Sequence, residues 1–170
     1  MFEALLSILE EKAFEHITVK EITVRASVGY ATFFRRYPDK EALLHDIAAQ
    51  EIQNLLNMTL PILDSKDSRA STYALCAYVW DNNAIWKVLL TGGAASVLKE
   101  EYLSQALGVA KDRNEPGLWL PEDLAVSFTV TTAIDILAWW LKQTEPFSIE
   151  DVAKYMNQLA IEPILSDYKQ

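Results

Sequence analysis

Thr18-Val19-Lys20-Glu21-Ile22-Thr23-Val24-Arg25-Ala26-Ser27-Val28-Gly29-Tyr30-Ala31-Thr32-Phe33-Phe34-Arg35-Arg36-Tyr37-Pro38-Asp39-Lys40 is the stretch that decides how the chain reads. Thr18 and Glu21 have the spacing of a capping box, in which each side chain satisfies a free amide of a helix's first turn. Val19, Ile22 and Ala26 then share one helical face, and Ala26 to Gly29 supplies the small residues that a tight corner between helices needs. A second short helix is expected from Gly29 to about Tyr37, burying Phe33 and presenting Tyr30, Ala31, Thr32, Arg35 and Arg36. Pro38 cannot continue that helix, and Asp39 can cap the next one. A short helix that displays small, aromatic and cationic side chains suits a DNA major groove.

Working outward, Lys12-Ala13-Phe14 precedes this stretch and Lys40-Glu41-Ala42-Leu43 closes it. Together with Thr18 to Thr23, Ala26 to Gly29 and Thr32 to Tyr37, they resemble the DNA-binding segment of the TetR family of bacterial repressors. The match runs in order and without gaps over roughly the first 47 residues. It implies an all-α protein of about nine helices. Residues 1–46 would form a three-helix DNA-binding head, and residues 47–170 a ligand-binding and dimerisation domain. The implied partners are a palindromic operator in double-stranded DNA, a small-molecule effector and a second copy of the chain. Thr18, Gly29, Tyr30, Ala31, Thr32, Phe34, Arg35, Arg36 and Lys40 are then expected at the DNA. Tyr30, Ala31 and Thr32 would meet base edges, and Thr18, Arg35, Arg36 and Lys40 would meet phosphates.

The chain departs from the family pattern at several of these positions. Ala13 stands where a glycine usually closes the first helix, and Ser27 and Gly29 occupy the family's Gly and Ser positions in reversed order. The recognition helix thereby loses a hydroxyl cap. Phe34 replaces a tyrosine whose hydroxyl commonly reaches a phosphate, so one positioning contact is expected to be missing.

A net charge of −9 argues at first against nucleic acid, yet its distribution reverses that locally. Between positions 18 and 40, Lys20, Arg25, Arg35, Arg36 and Lys40 outnumber Glu21 and Asp39, a local charge of +3, whereas residues 61–170 carry −6. A small positive patch on an acidic body still attracts phosphates, because charges farther than about 8 Å are screened at physiological salt. Cys76 is the single cysteine, which fits a reducing cytoplasm. The most apolar stretch, Ala125 to Leu141, contains Ser127, three threonines and Asp135, and reads as too polar for a membrane span.

Beyond the head, helical spacing persists. A fourth helix is expected from about Asp39 to Leu60, broken by Pro61 and the polar run Asp64 to Ser68. Helices over about Arg69–Asp81, Ala84–Leu90 and Ala94–Lys111 follow, with a bend at Gly92-Gly93 and a loop from Asp112 to Gly117. Pro121 starts the next helix, and Ser148 caps the last one with Asp151 at its third position.

Two stripes run along the helix that follows Pro121. Val126, Val130, Ala133, Leu137 and Leu141 form one, and Phe128, Thr132, Asp135 and Trp139 a second, more polar one. A helix apolar on two sides must be covered on two sides, by its own core and by something else. The family places its dimer contact on the last two long helices, so Val130, Ala133, Leu137, Leu141, Val152, Met156 and Leu159 are the expected interface.

Cys76, Trp80, Trp86, Trp119, Phe128, Thr131, Asp135 and Trp139 make an aromatic-rich set with a few polar handles, the make-up of a pocket for a small amphipathic ligand. The same set at helical spacing also suits a plain core. Asp135, an acid inside an apolar run, needs a partner: a cationic ligand, a Thr or Trp donor, or a dimer contact. The sequence thus points to a hydrophobic or cationic effector, with no cofactor and no metal. Catalysis finds little support, since His16 and His45 both lie in or beside the head, far from Cys76. No zinc spacing, phosphate-cradling glycine loop or Gly-x-Ser-x-Gly elbow occurs. The alternatives are a helical small-molecule-binding or adaptor protein with weak or lost DNA binding and, less in keeping with the residues, an enzyme.

Overall fold

The computed structural model describes residues 1–64, 67–91, 95–113 and 119–165. In chain order these form α1 (Phe2–Leu9), a 3-10 turn (Phe14–His16), α2 (Val19–Arg25), α3 (Tyr30–Phe34), α4 (Lys40–Asp64) and α5 (Ser68–Asp81). They continue as α6 (Asn83–Thr91), α7 (Ala95–Arg113), α8 (Glu122–Leu141), α9 (Ile149–Met156), a π-helical turn (Asn157–Ile161) and α10 (Glu162–Leu165). No strand occurs among the described residues. The bend expected at Gly92-Gly93 and most of the loop expected after Asp112 lie outside them.

The head is α1 to α3, with α2 packed on both of its neighbours. α4 then runs out of the head into the body, so a domain boundary at 46/47 falls inside a continuous helix. The apolar core is likewise continuous. Leu5, Ile8 and Phe33 of the head join Leu43, Ile47 and Ile52 of α4, then Trp86, Leu89, Leu137 and Trp140 of the body. Each such side chain contributes about 1.5–3 kcal/mol when fully buried, so head and body are fastened by packing along α4. In the body, α4 packs on α5 and α7, α7 on α8, and α5 on α9. The Trp80 ring stacks on the buried Trp140 ring at 4.9 Å, whose Nε1 donates to the Phe147 carbonyl at 2.9 Å.

Two boundaries differ from the sequence reading. α4 runs through Pro61 to Asp64 instead of stopping at Leu60. So near the end of a helix, proline removes one hydrogen bond without preventing the last turn. α3 ends at Phe34, short of Tyr37, and Arg36 and Tyr37 close it with backbone bonds to the Phe33 carbonyl.

The last helix is interrupted by the π turn. Pro163 has no N–H to give the Leu159 carbonyl, and its ring would collide with it; one wider turn relieves the collision. The Ala160 carbonyl there accepts from Thr129 Oγ1 of α8 at 3.3 Å.

α8 is the one described helix long and apolar enough to cross a membrane by length and composition. Here it packs on α6, α7, α9 and the π turn as a core helix.

Candidate DNA-binding surface

Local chemistry sets the corner. Thr18 Oγ1 accepts from the Glu21 amide at 3.3 Å, and the Glu21 carboxylate accepts from the Thr18 amide at 2.8 Å. Lys12, on the loop after α1, pairs with the same carboxylate. The Lys12 ammonium, then the Thr18 amide and hydroxyl, hold the Glu21 carboxyl down to about 2.

The turn from α2 to α3 passes through Ser27 at φ 53°, a left-handed conformation. Gly29 is the N-cap of α3 at φ −71°, with no side-chain cap. The reversed Ser and Gly therefore leave each residue where the other would serve better: glycine takes left-handed backbone without cost, and serine caps helices. Ala13, by contrast, is extended at φ −62°, where glycine offers no advantage.

α3 buries Phe33 completely and turns Tyr30 (57% exposed) and Phe34 (44% exposed) outward. Their rings meet at 4.9 Å, one helical turn apart. Ala31 and Gly29 are exposed and Thr32 is half-buried. Arg35 Nη2 donates to Thr32 Oγ1 at 3.1 Å, which orients that hydroxyl. Arg36 is exposed, its guanidinium 5.5 Å from the Tyr37 ring centre.

The five cations of this stretch separate into two kinds. Lys20, Arg35 and Arg36 are exposed and form no ion pair among the described residues. Arg25 is occupied: its guanidinium donates to both Glu11 carboxylate oxygens at 2.9 and 3.1 Å and to Ser7 Oγ at 2.8 Å. Lys40 is occupied too, with its ammonium donating to the carbonyls of Phe14 (2.9 Å), Glu15 (3.2 Å) and Ile17 (2.9 Å). Thr18 likewise uses its hydroxyl on Glu21, both as donor and as acceptor. Lys20, one position into α2 and open to solvent, joins the candidate surface. It was visible in the sequence as a cation, but only the fold shows that Arg25 is paired while Lys20 has no ion-pair partner among the described residues.

The expected ligand set is not brought together. Cys76 and Trp86 are fully buried in the core, and Trp80 is half-buried in its stack on Trp140. Thr131 is half-buried, whereas Phe128, Asp135 and Trp139 are exposed. Trp119 is half-exposed, and its Nε1 donates to the Pro163 carbonyl at 3.2 Å. Asp135 is exposed on the outer face of α8 in the single chain. Burial raises the Cys76 thiol to about 12, which makes it an inert core group.

The expected dimer stripe lies inward in the single chain. Val130, Ala133, Leu137, Leu141, Val152 and Met156 are buried within the single chain, and of that set only Leu159 is exposed. The second stripe of α8 faces outward instead, with Leu124, Phe128 and Trp139 each 41–52% exposed and Asp135 beside them. Trp139 continues through Phe147 (5.2 Å) to Tyr155 (6.2 Å) in an aromatic row along the α8–α9 edge.

Residues 2–47 match the family model for bacterial regulatory proteins of the tetR family. That match is confined to the amino-terminal segment, α1 to the start of α4. A regulator from Streptococcus agalactiae 2603V described as a TetR transcriptional regulator is similar over 94% of this chain and 90% of that one, with a TM-score of 0.68 at 22% identity. Thermus thermophilus FadR, a TetR-family repressor solved with lauroyl-CoA, is similar over 98% of this chain and 94% of that one (TM-score 0.63, 17% identity). At these identities the likeness is one of fold. An uncharacterised HTH-type transcriptional regulator of Bacillus subtilis (strain 168), YxbF, is 24% identical over 97 residues, covering 54% of this chain. The match spans 26% of that relative's length. The fold is that of the solved TetR regulators, and the amino-terminal segment is similar to their DNA-binding segment.

Proposed function

We propose that this chain is a homodimeric tetR-family repressor that binds a palindromic operator through α3 and leaves it when a small hydrophobic effector binds the body. The observation that carries the reading is the outer surface of the head. A capped α2 and a short α3 present Tyr30, Ala31, Phe34, Arg35, Arg36 and Lys20 together, with no acid among the described residues paired to the three cations. Tyr30 and Ala31 meet base edges, and Thr32, held by Arg35, orders the same edge. Lys20, Arg35 and Arg36 meet phosphates.

The dimer forms through the outward stripe of α8 and the aromatic row beside it, where Leu124, Phe128 and Trp139 lie exposed side by side. An isologous pair of this kind relates two recognition helices by a twofold axis, which a palindromic operator mirrors. The effector acts by population shift, favouring a spacing of the heads that DNA does not accept, with α4 carrying the change. An apolar body without a basic cluster favours a hydrophobic effector over a polyanion.

Selection of duplexes from a random pool tests the DNA reading. Enriched palindromes, with Tyr30→Ala shifting base preference and Arg36→Ala weakening all sequences alike, support it; no enrichment by the wild-type dimer contradicts it.

A further inference from the structure

Lys40 is the first residue of α4, and its ammonium reaches 23 to 26 residues back along the chain. Three backbone carbonyls converge on it, at 2.9, 3.2 and 2.9 Å from Phe14, Glu15 and Ile17. An ammonium has three N–H donors, so this set occupies all of them. The Phe14 ring lies 4.6 Å from the same nitrogen, which adds a cation–π contact. The acceptors lie on the 3-10 turn and its C-cap; the Phe14 carbonyl also accepts from the Ile17 amide at 3.0 Å, so the ammonium shares it. Ile17 is followed directly by Thr18, the cap that starts α2.

We infer that Lys40 is a positioning residue, a clamp that joins the start of α4 to the start of α2, and not a phosphate ligand. Resting on the DNA-binding reading above, it supplies the link by which a tilt of α4 in the body becomes a rotation of α2 and α3 in the head. Packing alone would let the α4 start slide against the turn; three directional, charge-assisted bonds fix its register. Convergence of three carbonyls on one point suits a compact ammonium. A planar guanidinium, whose donors diverge in a fork, does not reproduce it.

The two roles make opposite demands on arginine, and that contrast is the test. The probe is a duplex enriched from a random pool by the wild-type protein, titrated over a range of salt with wild type, Lys40→Gln, Lys40→Arg and Arg36→Ala. Amide exchange over residues 14–22 is followed in the free proteins. Arg36→Ala calibrates the assay by lowering the salt slope by about one unit.

For Lys40→Gln the clamp predicts weaker binding at an unchanged salt slope. Lys40→Arg does not restore affinity, and exchange at Ile17 to Glu21 is about tenfold faster in both variants. A slope lowered by one unit in Lys40→Gln, affinity restored in Lys40→Arg and unchanged exchange would make Lys40 a phosphate ligand and overturn the inference. Should Lys40→Gln fail to fold, Lys40→Arg with the exchange measurement decides alone. Failure of the wild-type protein to enrich any duplex is a different result, and it strikes the DNA-binding reading itself.

Discussion

Thr18 and Glu21 close the first turn of α2 reciprocally, each side chain accepting from the other residue's amide, at 3.3 and 2.8 Å. Lys12 adds a cation to the same carboxylate, and the Glu21 carboxyl stands at about 2 against an ordinary 4.5. A depressed carboxyl stabilises the fold above its unfolded value, and that contribution is lost as pH falls from about 4.5 through 2. An NMR titration of Glu21 is expected to give a midpoint near 2, rising toward the ordinary value in Lys12→Met. An unchanged midpoint in that variant would remove Lys12 as the main cause.

Ser27 and Gly29 offer a stabilising exchange. Ser27→Gly removes the left-handed cost of a side chain, about 1 kcal/mol. Gly29→Ser adds a hydroxyl cap worth a few tenths of a kcal/mol. A Cβ at position 29 would lie 3.7 Å from Thr32 Oγ1, an ordinary contact, so the serine fits. The double variant is expected to melt about 2–5 °C higher by calorimetry. A lower melting temperature for Ser27→Gly alone would show that the Ser27 side chain earns its place by a contact that outweighs its backbone strain.

Neighbouring positions on α8 are expected to behave oppositely. Leu137 is 1% exposed and Trp139 is 41% exposed. Leu137→Ala leaves a cavity and costs about 2–5 kcal/mol of stability, with the dimer retained in the folded fraction. Trp139→Glu places a charge on the outward stripe and is expected to give folded monomers by sedimentation equilibrium. A Trp139→Glu protein that remains fully dimeric would place the interface elsewhere.

Cys76 separates core from pocket. With its thiol near 12 and no exposure, it is expected to resist a thiol reagent at pH 8 while folded and to react fully once unfolded. Stoichiometric labelling of the native protein would show that a path leads from solvent to this part of the body.

The head was legible because its decisive chemistry is local. Thr18 and Glu21 are three residues apart, Phe33 belongs to a short amphipathic helix, and Ser148 caps α9 through the Asp151 amide at 3.1 Å. What the sequence withheld depends on distance. Arg25 and Lys40 look as free as Arg35 and Arg36 until Glu11 and the carbonyls after Ala13 are placed beside them. On α8, Val130 and Leu137 differ little in character from Leu124 and Phe128. Periodicity separated the two stripes but gave no sign of which one the rest of the chain covers. Asp135 lies on the outward one. Pro163 displaces a helical register that apolar spacing alone would have continued.

In the proposed complex α3 reads DNA while Lys20, Arg35 and Arg36 hold it. Binding of the wild-type protein to a pool-enriched duplex, measured against salt beside Arg35→Ala/Arg36→Ala, tests it most directly. A wild-type slope of several units is expected, dropping by about two in the double variant with the preferred bases unchanged. No enriched duplex, or an equal slope and affinity in both proteins, would contradict it.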